Sequence, residues 1–381
     1  MSRKITNNKI AMKPAFQRLF LGVCSAALFS AQIATAAETD ATFGLSAEGS
    51  YDDNRYLSNT NKQSVYILNI RPTVGLTIEN EGSQTTFTAY GAYALSSDQA
   101  VQKDRFNFGA GVSGVYEYEY STLTLGGGFD RQSVFETEFL DTGIYAGNNG
   151  WRDRGNASFG LKTSLNETWS LRLSDSFQIL DYSTINYNNY WSNVVGLGVD
   201  VALNERTSLV QNFSYLRYEP DNIFMTSLNS YSYLAGLSYE LDENTLVTVT
   251  GGATYLSGDY RWSAIFELSH QLENNLFSVR GARELLPSGL GGVRQSDSVE
   301  FDSTYNYSES VNMGISASWR RSKELNNITQ LDNEFFGISP WVSFEVMRDL
   351  NIRLRYQLRR QKIGLSNDWG ISNVFSISIA Y

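Results

Sequence analysis

From Phe43 to the final residue the chain is a succession of segments in which apolar and polar side chains trade places at every second position. Phe43, Leu45, Ala47, Gly49 and Tyr51 share one parity, with Ser46, Glu48, Ser50 and Asp52 on the other. The next segment sets Tyr66, Leu68, Ile70, Val74, Leu76 and Ile78 against Asn69, Arg71, Thr73, Thr77 and Glu79. A period of two sends neighbouring side chains to opposite faces of a strand. The same scheme recurs at Trp169–Ile179, Val195–Leu203, Tyr231–Leu241, Trp262–Leu268, Val311–Trp319 and Phe336–Val346. In the last segment Phe375, Ile377, Ile379 and the terminal Tyr381 alternate with Ser376, Ser378 and Ala380. An apolar face ending on an aromatic suits a strand with lipid on one side and a polar interior on the other. One such segment alone would equally suit the edge of a soluble β-sandwich.

The connections favour the membrane reading. Short polar turns at Asn166-Glu167, Asn204-Glu205-Arg206, Asp242-Glu243-Asn244, Glu273-Asn274-Asn275 and Arg348-Asp349 take every second position. The intervening links are generally longer: Val134–Gly150, Pro220–Leu228, Pro287–Gly292 and Ser322–Asp332. Short periplasmic turns and longer external loops are the habit of outer-membrane barrels. The pattern predicts an all-β transmembrane antiparallel up-and-down β-barrel of about 18 strands, with 16 as the alternative count, and both termini at the periplasmic end. Four features sit awkwardly. Asp175 falls on the lipid-facing parity, Pro72 and Pro340 interrupt strands in which proline cannot donate to the ladder, and Ser208–Tyr218 offers no clear face.

The first residues belong to no strand. Arg3, Lys4, Lys9, Lys13 and Arg18 precede an apolar run from Leu19 to Ile33, and Ala34-Thr35-Ala36 follows as a small-x-small cleavage site. The expected division is a removed signal peptide over 1–36 and an outer-membrane β-barrel over 37–381. Cys24, the single cysteine, would leave with the leader, and no disulfide or thiol chemistry is expected. Removing five basic residues and no acidic ones leaves 25 basic against 40 acidic, a formal charge of about −15. That balance argues against a nucleic-acid partner. The 23 Tyr, 21 Phe and 31 Gly with only 5 Pro match a barrel whose faces average to neutral hydropathy.

Candidate chemistry is sparse at the rims and concentrated inside. His270 is the single histidine, placed outward near a periplasmic turn with no serine or acid at a hydrolase-like spacing. Gly126-Gly127-Gly128 lies within a strand and suits close packing better than phosphate binding. Glu117 with Glu119 forms a carboxylate pair beside a periplasmic turn. No metal site, cofactor or catalytic residue is expected. In the lumen, Arg353, Arg355 and Arg359 alternate with apolar residues, and Arg71, Arg152, Arg154 and Arg172 are also inward. Opposite in sign stand Glu48, Asp52, Glu117, Glu267, Glu300 and Asp302. Val134–Gly150, the third external loop, carries Glu136, Glu138 and Asp141 and is the candidate constriction loop. Charge ladders inside a pore select among solutes; the competing reading is that opposite charges pair along the wall and hold it rigid.

Just after the leader, Ala47-Glu48-Gly49-Ser50-Tyr51-Asp52-Asp53-Asn54-Arg55-Tyr56 resembles the opening strand of a β-barrel porin family encoded with exopolysaccharide biosynthesis systems. The later Arg71-Pro72-Thr73-Val74-Gly75-Leu76 and the terminal aromatic strand are similar to that family too. The resemblance implies a non-enzymatic outer-membrane channel that assists exopolysaccharide export, with periplasmic export components as further partners. A weakly selective diffusion porin for small solutes is the alternative. Phe375, Ile377, Ile379 and Tyr381 resemble the terminal signal that barrels present to the barrel-assembly machinery, and outer-membrane lipid is the expected surrounding.

Overall fold

The computed structural model describes residues 38–142, 150–184, 186–222, 225–290, 292–325, 332–363 and 368–381. The expected leader lies outside the described residues. Eighteen strands run in chain order: β1 Glu38–Asp52, β2 Val65–Asn80, β3 Ser83–Ser96, β4 Arg105–Glu117, β5 Ser121–Ser133 and β6 Trp151–Ser164. They continue as β7 Trp169–Tyr182, β8 Tyr190–Asn204, β9 Thr207–Pro220, β10 Leu228–Asp242, β11 Thr245–Leu256 and β12 Asp259–Gln271. The last six are β13 Asn275–Ser288, β14 Gly292–Ser308, β15 Val311–Glu324, β16 Asp332–Met347, β17 Leu350–Ile363 and β18 Gly370–Ala380. One helix, α1 Val134–Thr142, opens the link between β5 and β6.

Every strand is antiparallel to its chain neighbours, and β1 also pairs with β18 from Ser46↔Ala380 to Asp52↔Val374. The sheet therefore closes on itself. Closure leaves no free sheet edge in the hydrocarbon region, where an unpaired N–H or C=O is costly. Eighteen strands also enclose a lumen wider than their own side chains need.

The alternating parity sorts cleanly into two faces. Leu68, Val74, Leu125, Val195, Leu197, Leu237, Val249 and Ile377 point outward and are exposed, as a lipid-facing belt requires. Tyr118, Tyr120, Trp169, Tyr239, Tyr307 and Tyr381 flank the belt at the periplasmic end, and Tyr66, Tyr93, Phe106, Tyr231, Tyr260 and Trp262 at the other. These amphipathic rings suit the two membrane interfaces. The β11–β12 link is a two-residue turn with Ser257 at φ 52° and Gly258 at φ 99°, the backbone a tight hairpin demands.

Three of the four awkward features have local explanations. Pairing of β2 with β3 passes from Ile70↔Tyr93 directly to Thr73↔Tyr90, and that of β16 with β17 from Ile338↔Leu358 to Trp341↔Arg355. Each proline interrupts the ladder on one side while its other neighbour stays in register, Pro72 opposite Leu45 and Pro340 opposite Ile315. Ser208–Tyr218 has no readable face because Leu216 and Tyr218, on its inner parity, are buried in an apolar cluster inside the barrel. Asp175 is outward and exposed.

Candidate transport lumen

Strand pairing assigns the inner face residue by residue, since side chains directly opposite each other share a side. Arg154 of β6 donates to Asp130 of β5 at 2.8 Å, and Arg172 of β7 reaches Asp200 at 2.7 Å and Asn212 at 3.1 Å. Arg320 contacts Glu300 at 3.1 Å, while Arg280 bridges Glu267 at 3.4 Å and Glu284 at 2.9 Å. These guanidinium groups are neutralised along the wall, as the pairing alternative expects. Asp302 lies on the same inner parity as Glu300 and is exposed.

The seam between the last and first strands differs. Arg353 lies 4.5 Å from the ring centre of Trp341, and Arg71 lies 4.1 Å from that of Tyr90, whose hydroxyl accepts a bond from Gln132 at 3.0 Å. Arg355 is exposed opposite Trp341. Among the described residues none of Arg71, Arg353 and Arg355 has a carboxylate within ion-pair distance. A guanidinium held over an aromatic face keeps its donors free at its edge.

The described start of the third external loop is the nine-residue α1, which packs inside the barrel. Val134 joins Leu180, Tyr182, Tyr190, Leu216, Tyr218 and Leu256 in the inner apolar cluster. Phe135 packs against Leu57 and Phe335, under the Arg55 guanidinium at 3.9 Å. Two carboxylates pin the helix to the wall: Glu136 meets Arg105 of β4 and lies 3.6 Å from Arg55, and Glu138 lies 3.5 Å from Arg152 and accepts from the Tyr182 hydroxyl at 2.7 Å. The side chain of Asp141 lies outside the described residues. Sequence spacing identified the loop and its acids; the helix and the wall partners depend on contacts between strands far apart in sequence.

A second link narrows the mouth from the other side. The tip of the β13–β14 hairpin reaches the β7–β9 wall, where the Asn188 amide donates to the Gly289 carbonyl at 2.7 Å and the Tyr218 hydroxyl to that of Ser288 at 3.2 Å. Ser288 also donates to Glu324 at 2.8 Å. Nearby, burial and then the Glu138 charge push the Tyr187 hydroxyl well above the ordinary tyrosine range.

The Asp52-Asp53-Asn54 stretch, a signature without a role at the level of sequence, is a clasp. The buried Asp52 carboxylate accepts from Ser372 at 2.7 Å, from Arg55 at 3.4 Å and from Arg359. Asp53 accepts from the Asn373 amide at 2.7 Å and from its side chain at 2.6 Å. Asn54 donates to the carbonyls of Ser58 at 2.9 Å and Ile371 at 2.8 Å. All three tie the end of β1 to β18 at the external rim. Arg359 is thus buried in the seam rather than exposed to the lumen.

The remaining candidates are placed plainly. His270 faces outward beside Phe277, with its Nδ1 2.6 Å from the Thr245 hydroxyl. Among the described residues no cluster of three metal-ligating side chains occurs. Phe375, Ile377 and Tyr381 are exposed on the outer face, and Ile379 shares their parity opposite Ile352.

No family model matches the chain, and no curated protein matches it by sequence. Solved structures with a similar trace include OpdQ of Pseudomonas aeruginosa, at 10% identity over 90% of this chain and 97% of that one, TM-score 0.47. The outer membrane protein OpdK of the same organism aligns at 9% identity over 90% and 99% of the two chains, TM-score 0.46. Its siderophore receptor PirA aligns at 10% identity over 89% and 80%, TM-score 0.47. These likenesses are of barrel architecture alone. The closed strand ladder, the outward apolar belt and its two aromatic girdles make this chain a multi-pass β-barrel of the bacterial outer membrane.

Proposed function

We propose that the chain is a passive diffusion channel for small solutes, with a preference for anions. The observation that carries this reading is α1 seated within the barrel, fastened to the β4–β7 side of the wall through Glu136 and Glu138 and packed through the Phe135–Leu57 cluster against Phe335 of β16. A folded segment across a lumen sets a size limit. Arg71, Arg353 and Arg355, which form no ion pair among the described residues and of which Arg355 feels the charge of Glu48, then supply a local positive potential along one side. Glu300 with Arg320, Arg154 with Asp130 and Arg172 with Asp200 act as pore-lining groups that mostly cancel each other, while Arg152 with Glu138 is buried beneath α1 and fastens it.

Export of an exopolysaccharide, which the opening motif implies, has less support. Its residues serve the seam clasp, and the Trp341 and Tyr90 rings that could present apolar faces to sugars are each covered by a guanidinium. Two inward links also narrow the mouth for a polymer. Planar-bilayer conductance under a salt gradient tests the proposal. A discrete conductance with a reversal potential on the anion side is the expected result; a cation-side potential overturns the anion preference, and a chain without conductance that restores polysaccharide output to a deletion strain overturns the channel reading.

A further inference from the structure

Asp175 is out of place for a residue that meets only lipid. It lies in the middle of β7, opposite Phe159 on one side and Val195 on the other, and both of these are exposed on the outer face. Its one hydrogen-bond partner among the described residues is Asn193, whose side-chain amide donates at 2.5 Å. No cation is within ion-pair distance among the described residues. A carboxylate at hydrocarbon depth is unfavourable, and intramembrane charges are normally turned to a partner.

Two strands away the same wall carries the complement. Gln211 of β9 faces outward opposite Val199 and Ala235. Its carbonyl oxygen accepts from the Tyr233 hydroxyl at 2.8 Å, which leaves the amide nitrogen without a partner among the described residues. On β8 the neighbours of Asp175 and Gln211 are Val195 and Val199, so Leu197 is the outward residue between them. Strand tilt brings Asp175 and Gln211 to similar depths on either side of Leu197. Beyond them Ala235, Gly251 and Ala264 follow one another across β10, β11 and β12 and keep the surface low.

We infer that this wall is a self-association surface, occupied by a second copy of the chain related by a two-fold axis along the membrane normal. Such an axis preserves depth and exchanges left with right, so a patch holding an acceptor on one side and a donor on the other is complementary to itself. The Asp175 carboxylate of one copy receives the Gln211 amide of its partner, twice. The bonds form between groups that lipid cannot satisfy, which is the main source of specificity between membrane surfaces of equal hydrophobicity.

The test uses the full chain in intact outer membranes. In a Cys24→Ser background, Leu197→Cys treated with a short bis-maleimide gives a cross-linked dimer, and Leu354→Cys on the β17 wall does not. Adding Asp175→Leu or Gln211→Leu lowers the yield at least tenfold, while heat-modifiable migration on gels reports that the barrel remains folded. Native mass spectrometry of the unsubstituted chain in lipid nanodiscs gives an independent readout, with a dimer expected. A monomer there, or Leu197→Cys cross-linking that neither substitution reduces, overturns the inference.

Discussion

Asp52, the last residue of β1, and Arg359 of β17 are 307 positions apart and hydrogen-bonded to each other within the barrel seam, with Ser372 of the intervening β18 bonded to both. Both are buried, so the pair is shielded from the water on either side. Removing one partner from such a pair leaves an uncompensated charge, at about 3–5 kcal/mol.

Asp52→Ala should therefore loosen the seam by roughly that amount. Urea unfolding in detergent measures it. Arg359→Leu should cost a similar amount, and the double variant should cost clearly less than the sum, because the second substitution removes the charge that the first left stranded. Additive losses would place the two residues in separate roles.

Gly370→Ala should disturb the same rim for a steric reason. A Cβ on Gly370 would come within 1.6 Å of the Leu57 carbonyl oxygen, and Leu57 is already at a positive φ of 47°. Backbone cannot rotate out of the way as a side chain can. The expected result is a lower unfolding midpoint with the barrel still formed, and no change would mean that the first external link is readily displaced.

Glu138→Gln should loosen the hold of α1 on β6 and β7, since it weakens the bond from Arg152 and the one from Tyr182. Single-channel recordings are expected to show a larger or noisier conductance. A Glu136→Gln, Glu138→Gln double variant should enlarge the effect. Unchanged current would assign the constriction to other parts of the lumen.

Arg71→Gln, Arg353→Gln and Arg355→Gln together should move the reversal potential toward cations, because these groups form no ion pair at contact distance among the described residues. Arg154→Gln, whose charge is matched by Asp130 at 2.8 Å, should move it less. Equal shifts from the two sets would dissociate selectivity from pairing.

The inward links should loosen in alkali. Burial and Glu138 raise the Tyr187 hydroxyl in the folded state, whereas an exposed tyrosine ionises near pH 10. Above that pH the unfolded form loses its proton first, so the stabilising contribution is complete below about pH 10 and declines as pH rises toward the folded value. Tyr187→Phe should flatten the alkaline limb of a melting-temperature profile measured between pH 8 and 11.

Much of this molecule was legible in the residue order because a strand between lipid and a polar lumen has to alternate. Phe375, Ile377, Ile379 and Tyr381 announce their face locally, and the short turns at Asn204-Glu205-Arg206 and Asp242-Glu243-Asn244 announce the periplasmic rim. Alternation also assigned Arg353 and Arg355 to the inner face, whereas it was the length of the third external loop that drew attention to Glu136, Glu138 and Asp141. It failed at Leu216 and Tyr218, where inward residues are apolar because they pack against α1 and its neighbours rather than line water.

What the tertiary structure alone decided are relationships between strands. Arg353, Arg355 and Arg359 look equivalent along β17, yet one lies on Trp341, one is exposed, and one is bonded to Asp52 across the seam. Asp52-Asp53-Asn54 becomes a clasp only when β18 arrives beside β1. The physical reason is the same in each case: alternation is a property of the local backbone, while the partner of a side chain is set by closure and by loops folding inward, which bring together residues hundreds of positions apart.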